Sequence, residues 1–265
     1  MIATLQYRDI YEAVWQEYQI SFNEEIVQAE LKRIALKQTN ITKDTFGFYT
    51  SIASVFSSRI EGEQIDLDSY IKHKFLSVTY QSDFTKKPDD LFNAYAFAKD
   101  NALTQSNLLH VHRLITKHLL TSDKQGTVRT QQMFVLAKNS SIEYVAADAT
   151  IVKKEFERFK NDLESLVKVD LPVDKVFFFA SMLHLLFVKI HPMYDGNGRT
   201  ARLLEKWFLA QHIGMAAWNI ESERYYYENI TEYYHSFQRL GLEYDSLSYS
   251  QSLPFTQLLL KSLAL

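Results

Sequence analysis

The sequence predicts an all-α fold, a helical bundle, on three observations. Seven Gly and four Pro among 265 residues are about a third of average usage, too few for an all-β chain that turns tightly every few residues. Apolar residues recur at spacings of three and four through most of the chain, the helical period. Only one segment alternates like a strand and turns like a hairpin. Hydrophobic residues at 46% and charged residues at 23% match an ordinary globular chain, so disordered and fibrous classes are out.

Taken in order, Glu24 to Lys37 places Ile26, Val27, Ala29, Leu31, Ile34 and Leu36 among charged residues, an amphipathic helix. A second helix runs from Thr42, as N-cap, to Glu61, with Phe46, Tyr49, Ile52, Ala53, Phe56 and Ile60 on one face and Gly62 as its stop. Asp66 to Phe75 is a short helix. The polar stretch 81–90 reads as a connector into a helix at 91–103, and Ser106 caps Asn107 to Leu120. Residues 132–145 form the exception: an apolar run, a Lys-Asn-Ser-Ser turn, then Ile142, Tyr144 and Val145. Helix resumes over 150–167. Pro172 opens a helix ending near Ile190 whose apolar stretch Val176–Val188 is interrupted only by Ser181 and His184. At about 1.5 Å per residue that stretch spans about 20 Å against about 30 Å of hydrocarbon, so it is a core helix and no membrane partner is expected. Residues 197–212, 221–240 and 255–263 complete the helices. The boundaries expected are an N-terminal helical region, 1–80, and a core, 81–265.

A net charge of −3 supplies no basic field for nucleic acid. The absence of Cys removes disulfides, thiolate metal sites and Cys nucleophiles, and fits a reducing compartment. Asp9 and Glu12 stand where an export signal needs an apolar run. A cytoplasmic location is the expectation.

Two of the seven Gly lie in His191-Pro192-Met193-Tyr194-Asp195-Gly196-Asn197-Gly198-Arg199-Thr200-Ala201-Arg202. A Gly-Asn-Gly loop leading into a helix exposes successive backbone N–H groups at a positive helix end, a phosphate site. Arg199 and Arg202, three apart, share a face where guanidinium groups grip further phosphates. Asp195 offers the one carboxylate that Mg²⁺ on a nucleotide needs. His191 is the loop residue able to take a proton near neutral pH, hence the candidate general base. The bland alternative is a plain turn between helices with solvated side chains. Neither the Walker pattern nor the dinucleotide fingerprint fits.

The run resembles the signature of Fic-domain proteins, His-Pro-Phe-x-(Asp/Glu)-Gly-Asn-Gly-Arg-x-x-Arg, departing only in Met193 for Phe. The resemblance extends back to Ala180 and forward, more loosely, to Tyr233-Tyr234. It implies the Fic fold, with a central helix-loop-helix carrying the site, and transfer of AMP from ATP to a Ser, Thr or Tyr hydroxyl of a protein. By position it makes His191 the base and Asp195 the Mg²⁺ ligand. Gly196, Asn197, Gly198 and Arg199 would hold the α and β phosphates, and Arg202 the γ phosphate. Met193 would take over the anchoring of the loop in the core. Ser57-Ser58-Arg59-Ile60-Glu61-Gly62 resembles the Ser/Thr-x-x-x-Glu-(Gly/Asn) inhibitory motif of the same family. Ser57 and Glu61 fall on one helix face and can share a partner; the resemblance implies an inhibitory role in which Glu61 would take Arg202 from the γ phosphate, and the bland alternative is a surface carboxylate at a helix end.

The resemblance implies that the hairpin is the flap of Fic proteins, which pairs with an extended target segment; the bland alternative is a structural hairpin covering the core. His184 is expected to be a satisfied core histidine, and Tyr225, Tyr226 and Tyr227 to be core rather than an adenine platform. The leading expectation is thus a self-inhibited, Mg²⁺-dependent protein adenylyltransferase that modifies itself as well as a target. Runners-up are a nucleotide-sensing regulatory module, an enzyme removing AMP, and a transferase using another phosphate-linked donor. Dimers are frequent among similar proteins, so a homodimer is carried as an expectation; a winged-helix appendage is not expected.

Overall fold

The computed structural model describes residues 2–39, 44–80, 82–136 and 142–265. Among them are twelve α-helices and one two-stranded sheet: α1 Arg8–Ser21, α2 Glu24–Thr39, α3 Thr45–Ile60, α4 Leu67–Leu76, α5 Ser82–Asp100, α6 Gln105–Ile115, β1 Phe134–Leu136, β2 Ile142–Val145, α7 Val152–Val167, α8 Val173–Ile190, α9 Asn197–Ile213, α10 Ser222–Glu228, α11 Ile230–Gln238 and α12 Leu253–Ser262. The all-α expectation holds. No helix among the described residues is long and apolar enough to cross a membrane.

The bundle is built around α8, in which every residue from Val176 to Ile190 is buried. Apolar residues cover its whole circumference, so a helix with no polar face must be surrounded. Helices α9, α7, α12 and α1 pack on it. Phe177, Phe178, Phe179 and Phe187 are fully buried, each removal from water contributing about 1.5–3 kcal/mol. One cluster of buried residues runs from Leu5 to Leu263, and a smaller one of Tyr49, Ile52 and Phe56 sits under α3.

Several local expectations are corrected. The helix α1 has no counterpart in the elements read from the sequence; Tyr11, Val14 and Tyr18 form its buried face, and Tyr11 meets Phe178 and Phe179 edge-on. Residues 82–90 belong to α5 rather than to a connector, and Pro88 lies inside that helix. Charged residues there are tied to other elements: Lys87 to Glu63, Asp89 to Tyr70, His73 and Lys74, and the buried Asp90 to His118. Thr104, not Ser106, caps α6 by accepting from the Asn107 N–H. That helix ends at Ile115, where the Thr116 hydroxyl turns back to the His112 carbonyl. The helix expected over 221–240 breaks at Asn229, whose side-chain amide takes the Tyr225 carbonyl. Thr42 and the Lys-Asn-Ser-Ser turn lie outside the described residues; α3 is capped by Asp44, which accepts from Gly47 N–H at 2.9 Å. The two strands pair antiparallel, Phe134 with Val145 and Val135 with Tyr144.

Candidate active site

The end of α8 sets the position of His191. Its backbone is left-handed, φ 51°, a costly conformation for a residue with a Cβ. It is held by Arg129, a buried guanidinium that donates to the carbonyls of His191 (2.7 Å), Ile190 (3.3 Å), Ala147 (2.5 Å) and Gln131 (2.6 Å). A cation on the last carbonyls of a helix is favoured by the dipole. The imidazole Nδ1 meets Tyr144 Oη at 2.9 Å and the Val188 carbonyl at 3.3 Å, while the Tyr144 hydroxyl donates to Val188 at 2.9 Å. All three contacts are satisfied with the proton on Nδ1, leaving Nε2 the lone-pair nitrogen. Burial pushes the His191 pKa down to about 4, so the ring is neutral at pH 7 and able to accept a proton.

The loop closes on itself. Asn197 Oδ1 accepts from Met193 N–H at 2.9 Å and its amide donates to the Met193 carbonyl at 3.0 Å. Met193 is fully buried and bridges Val128, an anchor of the kind its apolar side chain suggests. The Asn197 side chain is thereby committed to the loop, and what it can offer a ligand is its backbone N–H at the start of α9. Arg199 is 5% exposed and its Nε and Nη1 have no hydrogen-bond partner. Its nearest carboxylate is Asp195 at 3.8 Å. A buried guanidinium without an anion is costly, so this position fits a phosphate. Asp195, half exposed, is a hard oxygen donor of the type Mg²⁺ takes together with phosphate oxygens. No cluster of three or more His, Asp or Glu able to hold a metal occurs among the described residues.

Glu61 reaches this loop from α3. The helix ends in a Schellman turn: Gly62 N–H bonds to Arg59 and Glu63 N–H to Ser58, with Gly62 at φ 94°, where a side chain would be strained. That turn leaves Glu61 as the cap, its carboxylate 2.6 Å from Arg202 Nη2. Ser57 takes the same guanidinium, Oγ at 2.8 Å and carbonyl at 3.1 Å, so the i, i+4 pair does share one partner. Burial alone would raise the Glu61 pKa, but Arg202 and Arg199 hold it below the usual carboxylate range. The carboxylate also crowds the loop: a Cβ on residue 198 would stand 2.6 Å from Glu61 Oε1. Between Glu61, Tyr144, His191 and Arg202 a cavity of about 90 Å³ remains, well below the roughly 300 Å³ or more of typical ligand pockets.

Arg202 continues inward through Tyr233 (3.3 Å) to His184 (3.0 Å), Glu205 (2.8 Å) and Tyr226 (2.8 Å). His184 is the satisfied core histidine expected, and Tyr226, stacked on Tyr233, is buried structure rather than a nucleobase platform. No role was assigned from sequence to Arg129, Tyr144 or Tyr233. Tyr144 carried a signal as the inward position of an alternating strand, and Tyr233 only as the loose forward edge of the family resemblance.

Residues 102–209 match the model of the Fic/DOC family. Similar curated proteins include the protein adenylyltransferase Fic of Culex quinquefasciatus, 34% identical over 112 residues covering 42% of this chain and 20% of that protein. That of Nematostella vectensis is 31% identical over 112 residues, covering 42% and 24%. The matched region thus spans about a fifth of those relatives' length. Among solved structures, a Fic family protein from Desulfovibrio desulfuricans superposes with a TM-score of 0.73 at 21% identity, covering 91% of this chain and 72% of that one. A Fic-domain signalling protein from Bacteroides thetaiotaomicron gives 0.59 at 20% identity, covering 97% and 93%. The fold is the Fic fold.

Proposed function

We propose that this chain, whose residues 102–209 belong to the Fic/DOC family, is a self-inhibited protein adenylyltransferase that moves AMP from ATP to a Ser, Thr or Tyr hydroxyl of a protein, itself included. The observation that carries the reading is a His191 ring whose Nδ1 is engaged by Tyr144 and the Val188 carbonyl, one loop away from Arg199, a buried guanidinium with unpartnered nitrogens at a Gly-Asn-Gly helix start. Backbone N–H groups at Gly196 to Gly198 and the Arg199 guanidinium bind the α and β phosphates. Arg202 takes the γ phosphate once Glu61 leaves it. His191 Nε2 receives the proton of the target hydroxyl as its oxygen bonds to the α phosphorus; the bond from that phosphorus to the bridging oxygen breaks, and pyrophosphate departs. When bound, Mg²⁺ neutralises charge developing on the phosphates, and Asp195 would hold it. In this reading residues 1–80 are the helical region that delivers Glu61 to a core of residues 81–265, and residues 132–145 are the flap beside the target.

The test is incubation with MgATP followed by intact-mass measurement of the chain with Glu61 replaced by Gly. A mass gain of one AMP supports adenylyl transfer, and unchanged mass in the presence of saturating MgATP and a panel of folded acceptor proteins refutes it.

A further inference from the structure

We infer that His112, on α6 and outside the signature loop, is the positioning residue that orients the peptide opening the phosphate loop. Its ring is fully buried. Nδ1 accepts from the Gly126 N–H at 2.8 Å, and Nε2 donates to the Asp195 carbonyl at 2.8 Å. A backbone N–H can only donate and a carbonyl can only accept, so these two partners admit a single form of the ring, the neutral tautomer with its proton on Nε2.

The consequence lies in the peptide between Asp195 and Gly196. In a trans peptide the N–H points opposite to the carbonyl. Pinning the Asp195 oxygen toward α6 therefore turns the Gly196 N–H away from α6, where it meets Asp195 Oδ1 at 2.5 Å. One bond from His112 thus fixes both the first amide of the loop and the carboxylate beside it. The backing is close: a Cβ on Gly196 would stand 2.7 Å from Thr116 Cγ2, and the Thr116 hydroxyl bonds to the His112 carbonyl at 2.7 Å. Gly196 at φ 75° provides the room and the left-handed turn at once. Asp195 and Gly126 lie on different loops, so His112 also ties the phosphate loop to residues 121–128.

The inference rests on reading residues 195–199 as a phosphate site, and its test separates the two claims. His112→Gln carries an amide N–H near the place of Nε2, and His112→Asn an amide oxygen near the place of Nδ1. Each keeps one bond of the pair. Made in the Glu61→Gly chain, both are expected to melt at similarly reduced temperatures. His112→Asn should weaken MgATP binding about tenfold, while His112→Gln stays within about threefold. Titration with MgATP and with metal-free tripolyphosphate, followed by calorimetry, reads this. Equal affinities for the two variants would overturn the positioning role, which predicts a difference that a merely structural ring does not. No binding of either probe by the Glu61→Gly parent would instead overturn the phosphate-loop reading, and the inference with it. A measurement on the unmodified chain needs no variant: ¹⁵N-labelled histidine should report His112 as the Nε2–H tautomer at pH 7, and the Nδ1–H tautomer or the cation would refute the assignment.

Discussion

Replacing Glu61 by Gly should make the chain less stable and its phosphate site far more receptive. The contact removed is a charge-assisted bond of 2.6 Å to an arginine that is 1% exposed, from a carboxylate that is 29% exposed. Bonds to charged groups contribute about 1.5–3 kcal/mol, and breaking a fully buried pair costs about 3–5 kcal/mol. Partial exposure of Glu61, and the two bonds that Ser57 keeps on Arg202, set the value near the lower figure, about 2 kcal/mol. For a chain of this size about 1 kcal/mol moves the melting temperature by about 2–4 °C, so Glu61→Gly without ligand should melt about 4–8 °C lower. Backbone strain adds little, because residue 61 has φ −80°. With nucleotide the sign reverses. The γ phosphate no longer competes with a carboxylate for Arg202, and about 2 kcal/mol corresponds to about thirtyfold tighter MgATP. Thermal melts with and without MgATP, paired with calorimetry, read both effects. A variant that melts like the parent and binds MgATP no more tightly would refute the argument and leave residues 57–62 an ordinary helix end.

In the Glu61→Gly chain, His191→Ala should bind MgATP within about threefold of its parent yet lose transfer by a hundredfold or more, because the proton moves only during the reaction; label transfer beside calorimetry measures it. Asp195→Ala should weaken MgATP while leaving metal-free tripolyphosphate nearly unaffected, since the loop amides remain; superimposable metal titrations would make Asp195 a helix-end residue only. Burial holds His112 and His191 down to about 4, against about 6.5 when unfolded. The unfolded chain then binds protons first, so stability should fall as pH drops from 6.5 toward 4 and return on raising it. Glu61, depressed below its usual range by Arg202 and Arg199, adds its own loss only once the pH falls below the unfolded glutamate pKa of about 4.3. Urea midpoints from pH 7.5 to 4.5 test this, and a flat profile would contradict it.

The parts of the fold legible in the sequence are those whose partners are near in the chain. The apolar circumference of α8, the Gly62 stop of α3 and the Gly-Asn-Gly turn before α9 all express local backbone chemistry. That Ser57 and Glu61 share one partner was legible because helical spacing puts i and i+4 on one face, whereas the identity of that partner, Arg202, came only from the family resemblance. What escaped is non-local. The charges of residues 82–90 looked like a connector because their partners, Glu63, Tyr70 and His118, lie on other elements. The helix α1 hid behind interleaved Glu and Gln, its tyrosines finding their apolar neighbours in α8. His112 and Arg129 act through backbone carbonyls 83 and 62 residues away, and no local pattern marks a side chain whose partner is a distant main-chain oxygen.

Adenylyl transfer itself is tested most directly by following the two ends of the nucleotide separately. The Glu61→Gly chain is incubated with MgATP labelled either at the α phosphate or at the γ phosphate, and covalently held label is counted after denaturation. Retention of the α label, none of the γ label, and neither once His191→Ala is added is the result predicted by a base at His191 and a leaving pyrophosphate. Retention of the γ label, or tight nucleotide binding with no covalent label from either position, would contradict it.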